Sequence, residues 1–588
     1  MSIGSAVHGL LRRGMPAGAI RLERYVLIEP HAWAEIILLP KEKNMMYYLH
    51  EPDLPPHLKR ALDEVSEIIE TEINPRELEA VSGKPVDVIA KFFDRSIRRY
   101  KGIVKGLTGA EIDVLRYYVI RNFAGMGILE ALLRDPYIED ISCNGVGVPL
   151  YVWHKRYESL PTNLEFVDRS SLNDYIVLLA HRSGKHVSVA FPILDAILPG
   201  MHRVAATYGT EVTPSGGSFT IRKFRAEPFS IAEQVLYGTL SPELVAYMWL
   251  LFENKMNALV IGATGAGKTS LLNSFCSLYK QNYKVVTVEE TPEIHLSLPN
   301  WVRLVVREVY GVTGQVGTNI TLFDLVRTSL RYRPDYIIVG EVRGEEAYVL
   351  FQAMATGHGG LTTMHAESIQ TVVSRLTSPP MNISPAYIPL VNVVVHIERV
   401  MLRAGEGLVI PARRVRSLWE IEEYDKYLQL ARWDPINDQF VHDFRESVML
   451  EGIAERTGSP KDEIIAELKR RALYVRWMAA KGVKKFDEVA SLITQYYLDP
   501  EQSYMSAIVE LEKLEKERLE RLEMVLDGVS ALYSTLDRFG AMDLVSLLRM
   551  SRMSEAVFWQ SFNKLLKEGA IAIDENGLVS IRRRVSPA

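Results

Sequence analysis

The run Gly262-Ala263-Thr264-Gly265-Ala266-Gly267-Lys268-Thr269 fits the phosphate-loop pattern G-x-x-x-x-G-K-[ST] at every required position. Residues 257–261 before it read as a short buried strand, and 269–278 after it as a helix, which is the context the pattern needs. The glycines let backbone N–H groups curl around phosphate oxygens, and the positive end of the helix adds to the attraction. In such a loop Lys268 reaches the β- and γ-phosphates and Thr269 holds Mg²⁺. Gly262, Thr264, Gly265, Ala266, Gly267 and Ser270 line the cradle. The pattern names a nucleoside triphosphate as the ligand. It is silent on what the energy is used for.

Three further blocks follow in order. Residues 284–288 read as a second buried strand ending in Glu289-Glu290, with Glu293 three residues on. Carboxylates at a strand's C-terminal edge beside a phosphate loop orient metal-bound water, so Glu289 and Glu290 join Thr269 as candidate metal residues. Taken alone, that block reads equally well as an exposed acidic turn. Residues 337–339 then lead into Gly340-Glu341. A second nucleotide strand usually ends in a metal-holding Asp. Here Gly340 has that place, and Glu341 is expected to be the base that polarises the attacking water. Arg343 stands two residues on, to answer phosphate charge or a neighbouring subunit. The last block, residues 356–368, carries His358 and His365. A lone histidine is ordinarily structural, and a closed zinc site is not expected in a chain whose cysteines are Cys143 and Cys276.

Together these blocks resemble the secretion-ATPase superfamily, the motors of type II and type IV secretion, type IV pili and archaella. Residues 262–269 look like its Walker A motif, 288–294 like its Asp box, 337–343 like its atypical Walker B and 356–368 like its His box. Asp135-Pro-Tyr-Ile-Glu-Asp-Ile-Ser-Cys-Asn-Gly145 and Phe219-Thr-Ile-Arg-Lys-Phe224 extend the likeness upstream, so that it covers about residues 20–440. Their phrasing is most similar to the archaeal branch. Two departures stand out: Glu290 occupies a place where Asp is usual, and the four-cysteine zinc insertion of bacterial members cannot be built.

The resemblance implies a RecA-like motor that works as a homohexamer, with ATP and Mg²⁺ bound between subunits. It implies that His365 senses the γ-phosphate, and that Arg203 and Arg222 close over the nucleotide from the preceding domain. With Glu341 and Lys268 they complete the expected catalytic set. Which of Arg327, Arg331, Arg333 and Arg343 acts at a subunit interface stays open. The implied partners are a polytopic membrane platform protein and, indirectly, pilin-like subunits. The implied place is cytoplasmic, peripheral at the inner face of the cell membrane.

The elements that must position these residues follow from pattern and length. At 588 residues the chain exceeds one core. The expected fold class is α/β: a cap region over 1–100, an α/β domain over 101–226, and a RecA-like ATPase domain over 231–443. A helical extension over 444–500 follows, then a long helix with a winged-helix-like module over 501–588. Pro228 makes 226–230 the expected hinge, and the glycines of 308–319 make that stretch a mobile loop. Leu58, Leu62, Val65 and Ile69 share one helical face. Ser459-Pro460 is expected to start a helix that Gly482 ends. A second helix is expected from Glu501, with Leu519, Leu522, Leu526, Val529, Tyr533 and Leu536 as a bundle face that must be covered.

A hydrophobic content of 47% and a charged content of 24% are those of a globular chain. Net charge −5 argues against a general nucleic-acid binder, and no direct nucleic-acid contact is expected. No signal peptide and no apolar run of membrane-spanning length is found, so a membrane role is expected to come through partners. Two rivals remain: a DNA or RNA translocating motor with a nucleic-acid-binding tail, and a scaffold that binds ATP without turnover. The intact Lys268, Thr269 and Glu341 speak against the second.

Overall fold

The computed structural model describes residues 10–40, 42, 44–72, 85–225, 227–307, 319–403, 409–551, 553–567, 570–573 and 578–582. Of the loop expected at 308–319 only Asn319 is described, and Ala226 of the expected hinge lies outside the described residues. The chain divides into two units, Met1–Ala226 and Glu227–Ala588.

The first unit is built on a ten-stranded sheet. The helix Pro56–Glu72 buries Leu58, Leu62, Val65 and Ile69 against it, as their three- and four-residue spacing requires. A Thr108–Glu111 capping box opens the helix Gly109–Phe123. At one side of the sheet, strands Arg203–Thr207 and Ser218–Arg222 pair antiparallel. Val204, Ala206, Phe219 and Ile221 face the core, so the period-two alternation turns Arg203 and Arg222 outward.

The second unit is built on a nine-stranded sheet. Its order is Trp301–Val305, Val285–Glu289, Tyr336–Val339, Gly359–Met364, Ala258–Ile261, Val393–Arg403, Val409–Glu423, Lys426–Asp434 and Gln439–His442. The first six strands run parallel, and the remaining three continue the sheet antiparallel. Ala258–Ile261, Val285–Glu289, Tyr336–Val339 and Gly359–Met364 are buried at every residue, because helices cover both faces. Val260, Val285 and Ile338 pack on the side of Pro242–Glu253 and Lys268–Phe275. Leu259, Val286 and Val339 pack on the side of Leu322–Ser329, Glu346–Ala355 and Ile369–Thr377. This doubly wound α/β arrangement is RecA-like, and its parallel strands bring their C-terminal ends to one edge.

Beyond residue 443 the helices Lys461–Lys481 and Phe486–Leu498 share a core with the phosphate-loop face through Tyr474, Met478, Val489 and Tyr496. Arg471 is buried in that core between Glu253 and Glu467, with its guanidinium 4.7 Å from the Trp249 ring. Two local expectations are corrected. Ser459 does not cap the helix Lys461–Lys481: Pro460 holds the cap position with no side-chain bond, and Ser459 N–H is tied back to Ala454 O. The helix Phe486–Leu498 falls within the helical extension expected over 444–500 but was not delimited as a separate helix.

The helix Pro500–Phe539 begins in this core through Ala507 and Leu511 and ends in a small one of its own. There Val529, Leu532, Tyr533 and Leu536 pack on the helices Leu544–Ser551 and Glu555–Lys567 and on the strands Ile571–Ile573 and Leu578–Ile581. That order of elements is winged-helix-like. The expected apolar stripe is covered only at this end: Leu519 and Leu526 are 61% and 51% exposed, and the Leu522 side chain lies outside what is described.

Candidate functional site

The site is assembled at the C-terminal edge of the parallel strands. The strand Ala258–Ile261 runs straight into the phosphate loop, which must turn beneath a neighbouring strand. A Cβ on Gly262 would stand 2.3 Å from the Ile397 carbonyl oxygen, so glycine is required there. Gly267, at φ +102°, opens the helix Lys268–Phe275 in the left-handed conformation, with no side chain capping it. The first-turn N–H groups therefore have no side-chain acceptor of their own. Thr264 and Gly265 are exposed, Ala266 is buried, and Thr269 and Ser270 are half-buried at the helix start.

Lys268 folds back over the loop. Its Nζ donates to Gly262 O at 3.1 Å and Ala263 O at 3.0 Å, and faces His365 Nδ1 at 3.1 Å. Burial lowers the Lys268 pKa, with the Glu341 charge opposing the shift. His365 follows directly on the strand Gly359–Met364, next in the sheet to the phosphate-loop strand. Burial lowers its pKa too, which favours a neutral ring. With Lys268 donating to Nδ1, the ring proton belongs on Nε2. That atom lies 3.1 Å from Glu341 Oε1, off the line a hydrogen bond needs. Glu341 Oε1 is accordingly a buried oxygen without a hydrogen-bond donor.

Glu341 stands just past the strand Tyr336–Val339. Its other oxygen accepts from Arg343 Nη2 at 2.6 Å. The turn that follows is pinned: Arg343 N and Gly344 N donate to Glu346 Oε1 at 2.6 and 2.7 Å. Thr363 Oγ1 donates to Gly340 O at 2.8 Å, which ties the two strands carrying His365 and Glu341. Lys268, His365 and Glu341 thus form one line of contacts across three adjacent strand ends. His358 lies outside that line, bonded within its own turn to Thr356 and Ala353.

Glu289 and Glu290 diverge, as successive residues at a strand end do. Glu289 is 2% exposed and lies beside Gly340, whose absent Cβ would be 3.6 Å from its Cγ. Its Oε1 accepts from Glu293 N and Ile294 N, both at 2.7 Å, while Oε2 is buried without a hydrogen-bond donor. Burial pushes its carboxyl up to about 7, against the lowering effect of those N–H groups and of Arg303. Glu290 is half exposed and faces Arg343 at 3.8 Å. Thr269 brings a hydroxyl to the helix start, and Glu289 keeps a buried carboxylate oxygen without a donor; these are the donor types a divalent cation takes.

Arg203 and Arg222 sit directly opposite each other across their strand pair in the first unit. Each has an acidic contact, Arg203 with Asp195 at 2.8 Å and Arg222 with Asp140 at 3.2 Å. Arg327 is exposed on the helix Leu322–Ser329, whereas Arg331 lies on the 3-10 turn beyond it. Arg333 ends that turn at φ +50°.

Three contributors carry no motif in the sequence. Asn273 clips the acidic loop to the phosphate-loop helix, donating to Glu293 O and accepting from His295 N, both at 3.0 Å. Arg375 donates to the His365 carbonyl, and Arg303 donates to Ile294 O. Each acts on backbone, which a pattern of side-chain types does not reveal.

A family profile described as Type II/IV secretion system protein matches residues 189–403. An uncharacterized protein of Methanocaldococcus jannaschii is 38% identical over 416 residues, 69% of this chain and 73% of that protein. A putative conjugal transfer protein of Mycobacterium tuberculosis (strain CDC 1551 / Oshkosh) is 33% identical over 266 residues, 43% of this chain and 73% of that protein. Among solved structures, the Legionella pneumophila ATPase DotB aligns at 18% identity over 60% of this chain and 91% of that one, with a TM-score of 0.37.

Proposed function

The chain belongs to the type II/IV secretion system protein family, and on that footing we propose that it is an ATP-hydrolysing motor. It works as a homohexamer and drives assembly of a type IV pilus-like filament, an archaellum or a type II/IV secretion machine. The observation that carries this reading is the contact line Lys268–His365–Glu341 at the mouth of an uncapped helix. The helix start and Lys268 bind the phosphates, for which Lys268 gives up its carbonyl contacts. Glu341 takes the proton of the attacking water on Oε1, the oxygen left without a donor, while Arg343 holds its other oxygen. His365, neutral and in touch with both Lys268 and Glu341, reports the γ-phosphate to the base. Mg²⁺ bound with the nucleotide would neutralise developing phosphate charge; Thr269 would hold it, with Glu289 and, from further out, Glu290 in support. Arg203 and Arg222 close over the nucleotide by exchanging their aspartate contacts for phosphate.

No helix among the described residues is long and apolar enough to cross a membrane. By the family likeness, we further propose that the motor acts from the cytoplasmic face of the membrane through a polytopic platform protein, reaching pilin-like subunits indirectly and touching no nucleic acid. Glu341→Gln should retain ATP binding and hydrolyse it at least about a hundredfold more slowly, the contribution of a positioned base. Lys268→Ala should instead lose nucleotide affinity. Full turnover by Glu341→Gln would overturn the catalytic assignment. Stimulation of wild-type hydrolysis by single- or double-stranded DNA would favour a nucleic-acid motor.

A further inference from the structure

Arg413 and Arg414 are neighbours on the strand Val409–Glu423 with opposite surroundings. Arg414 is buried and forked onto Asp438 at 2.7 and 2.8 Å, a structural pair. Arg413 is exposed, and among the described residues its guanidinium has no carboxylate partner. It is packed instead on the phosphate loop. A Cβ placed on Gly267 would meet Arg413 Cδ at 3.0 Å and Nε at 3.4 Å. Gly267 is the residue that opens the uncapped helix, so Arg413 stands at that helix's positive end. Two positive groups held together repel, and an anion seated between them satisfies both.

The placement is built into the strand pair. Ile397 wedges its carbonyl against Gly262 and its Cδ1 against Gly267, and in register Ile397 faces Val415 while Arg399 faces Arg413. Sheet order then decides which part of a nucleotide Arg413 meets. The strands leading to Glu341 and His365 lie on one side of the phosphate-loop strand, and the strand of Arg413 lies on the other. The transferred phosphate belongs with Glu341 and His365, which leaves the opposite end to Arg413.

We propose that Arg413 is a nucleotide-binding residue that grips the α- or β-phosphate, the part shared by ATP and ADP. This rests on the reading of 262–269 as a phosphate loop. The test uses the full-length protein, fluorescence titrations with methylanthraniloyl-ADP and a non-hydrolysable methylanthraniloyl-ATP analogue, and steady-state kinetics. Arg413→Ala should weaken both nucleotides about tenfold, the worth of one hydrogen bond to a charged group. The catalytic loss should fall on KM rather than on kcat. Arg413→Lys, a point charge without the fork, should lie between, and Arg413→Gln replaces the alanine variant if that one fails to fold. Unchanged affinities overturn the proposal, and so does a loss confined to the triphosphate. A wild-type protein that binds neither nucleotide overturns the phosphate-loop reading itself.

Discussion

Two buried glutamates of the same sheet, Glu420 at 0% exposure and Glu289 at 2%, solve the same physical problem differently. Glu420 lies on the antiparallel strand Val409–Glu423, away from the loop edge. Its carboxylate accepts from Tyr247 Oη, Ser447 Oγ and Val448 N, at the start of the helix Val448–Thr457. Every feature there serves the packing of one helix on the sheet. Glu289, on the parallel half at the loop edge, satisfies one oxygen and leaves the other bare. A buried oxygen without a donor costs free energy, which a fold tolerates where a ligand is expected. Glu420 spends its acceptors on packing, whereas Glu289 keeps one oxygen in reserve.

The most damaging way to sharpen that contrast is Glu420→Ala. It strands the Tyr247 hydroxyl, Ser447 and a helix N-terminus in the interior, at a cost of about 4 kcal/mol from several unsatisfied donors. Urea denaturation should show the loss at every pH from 6 to 8. A loss below about 1 kcal/mol would mean that Glu420 holds nothing together.

Glu289→Gln should have a smaller effect, and one that depends on pH. Because burial raises the Glu289 carboxyl to about 7, the folded chain keeps a proton that the unfolded chain releases nearer 4.5. The wild type therefore has its full stability below about pH 4.5 and loses it as pH rises through 7. The glutamine variant should not show that decline. In metal-free buffer the gap between them should open to about 3 kcal/mol by pH 8. Parallel pH profiles would show Glu289 to be ionised throughout, with Arg303 at 3.9 Å as its counter-charge. Glu290→Gln should do least, changing stability by less than about 0.5 kcal/mol, because a half-exposed pair with Arg343 is worth little. A larger shift would place Glu290 with the buried carboxylates.

The α/β class and the strand ends at Ile261, Glu289 and Val339 were legible because buried parallel strands write continuous apolar runs followed by loops. The strand Gly359–Met364, with two glycines and two threonines, carries no such run and was not read as one. The phosphate loop was legible because its glycines answer to local backbone geometry. What escaped the sequence depends on partners far along the chain. Arg413 looks like Arg414 until the register of Val393–Arg403 against Val409–Glu423 sets one on Gly267 and the other on Asp438. Glu289 and Glu290 look like a pair until the pleat separates them. The helix Phe486–Leu498 is legible only once Trp249 and Tyr497 are seen to meet, with ring centroids 5.7 Å apart.

The helix Pro500–Phe539 has 40 residues, so at 1.5 Å per residue it is about 60 Å long. Ala507 and Leu511 fix its first turns in the core that also holds Leu271 and Phe275 of the phosphate-loop helix, while Leu532 and Leu536 carry the terminal module. It is a lever rooted in the same core as the phosphate-loop helix. Beyond Leu511 about 42 Å of shaft remains, so a tilt of roughly 6° at the root sweeps the far end through about 4 Å. A shift of a few tenths of an ångström at the root would therefore become a displacement of several ångströms at the terminal module.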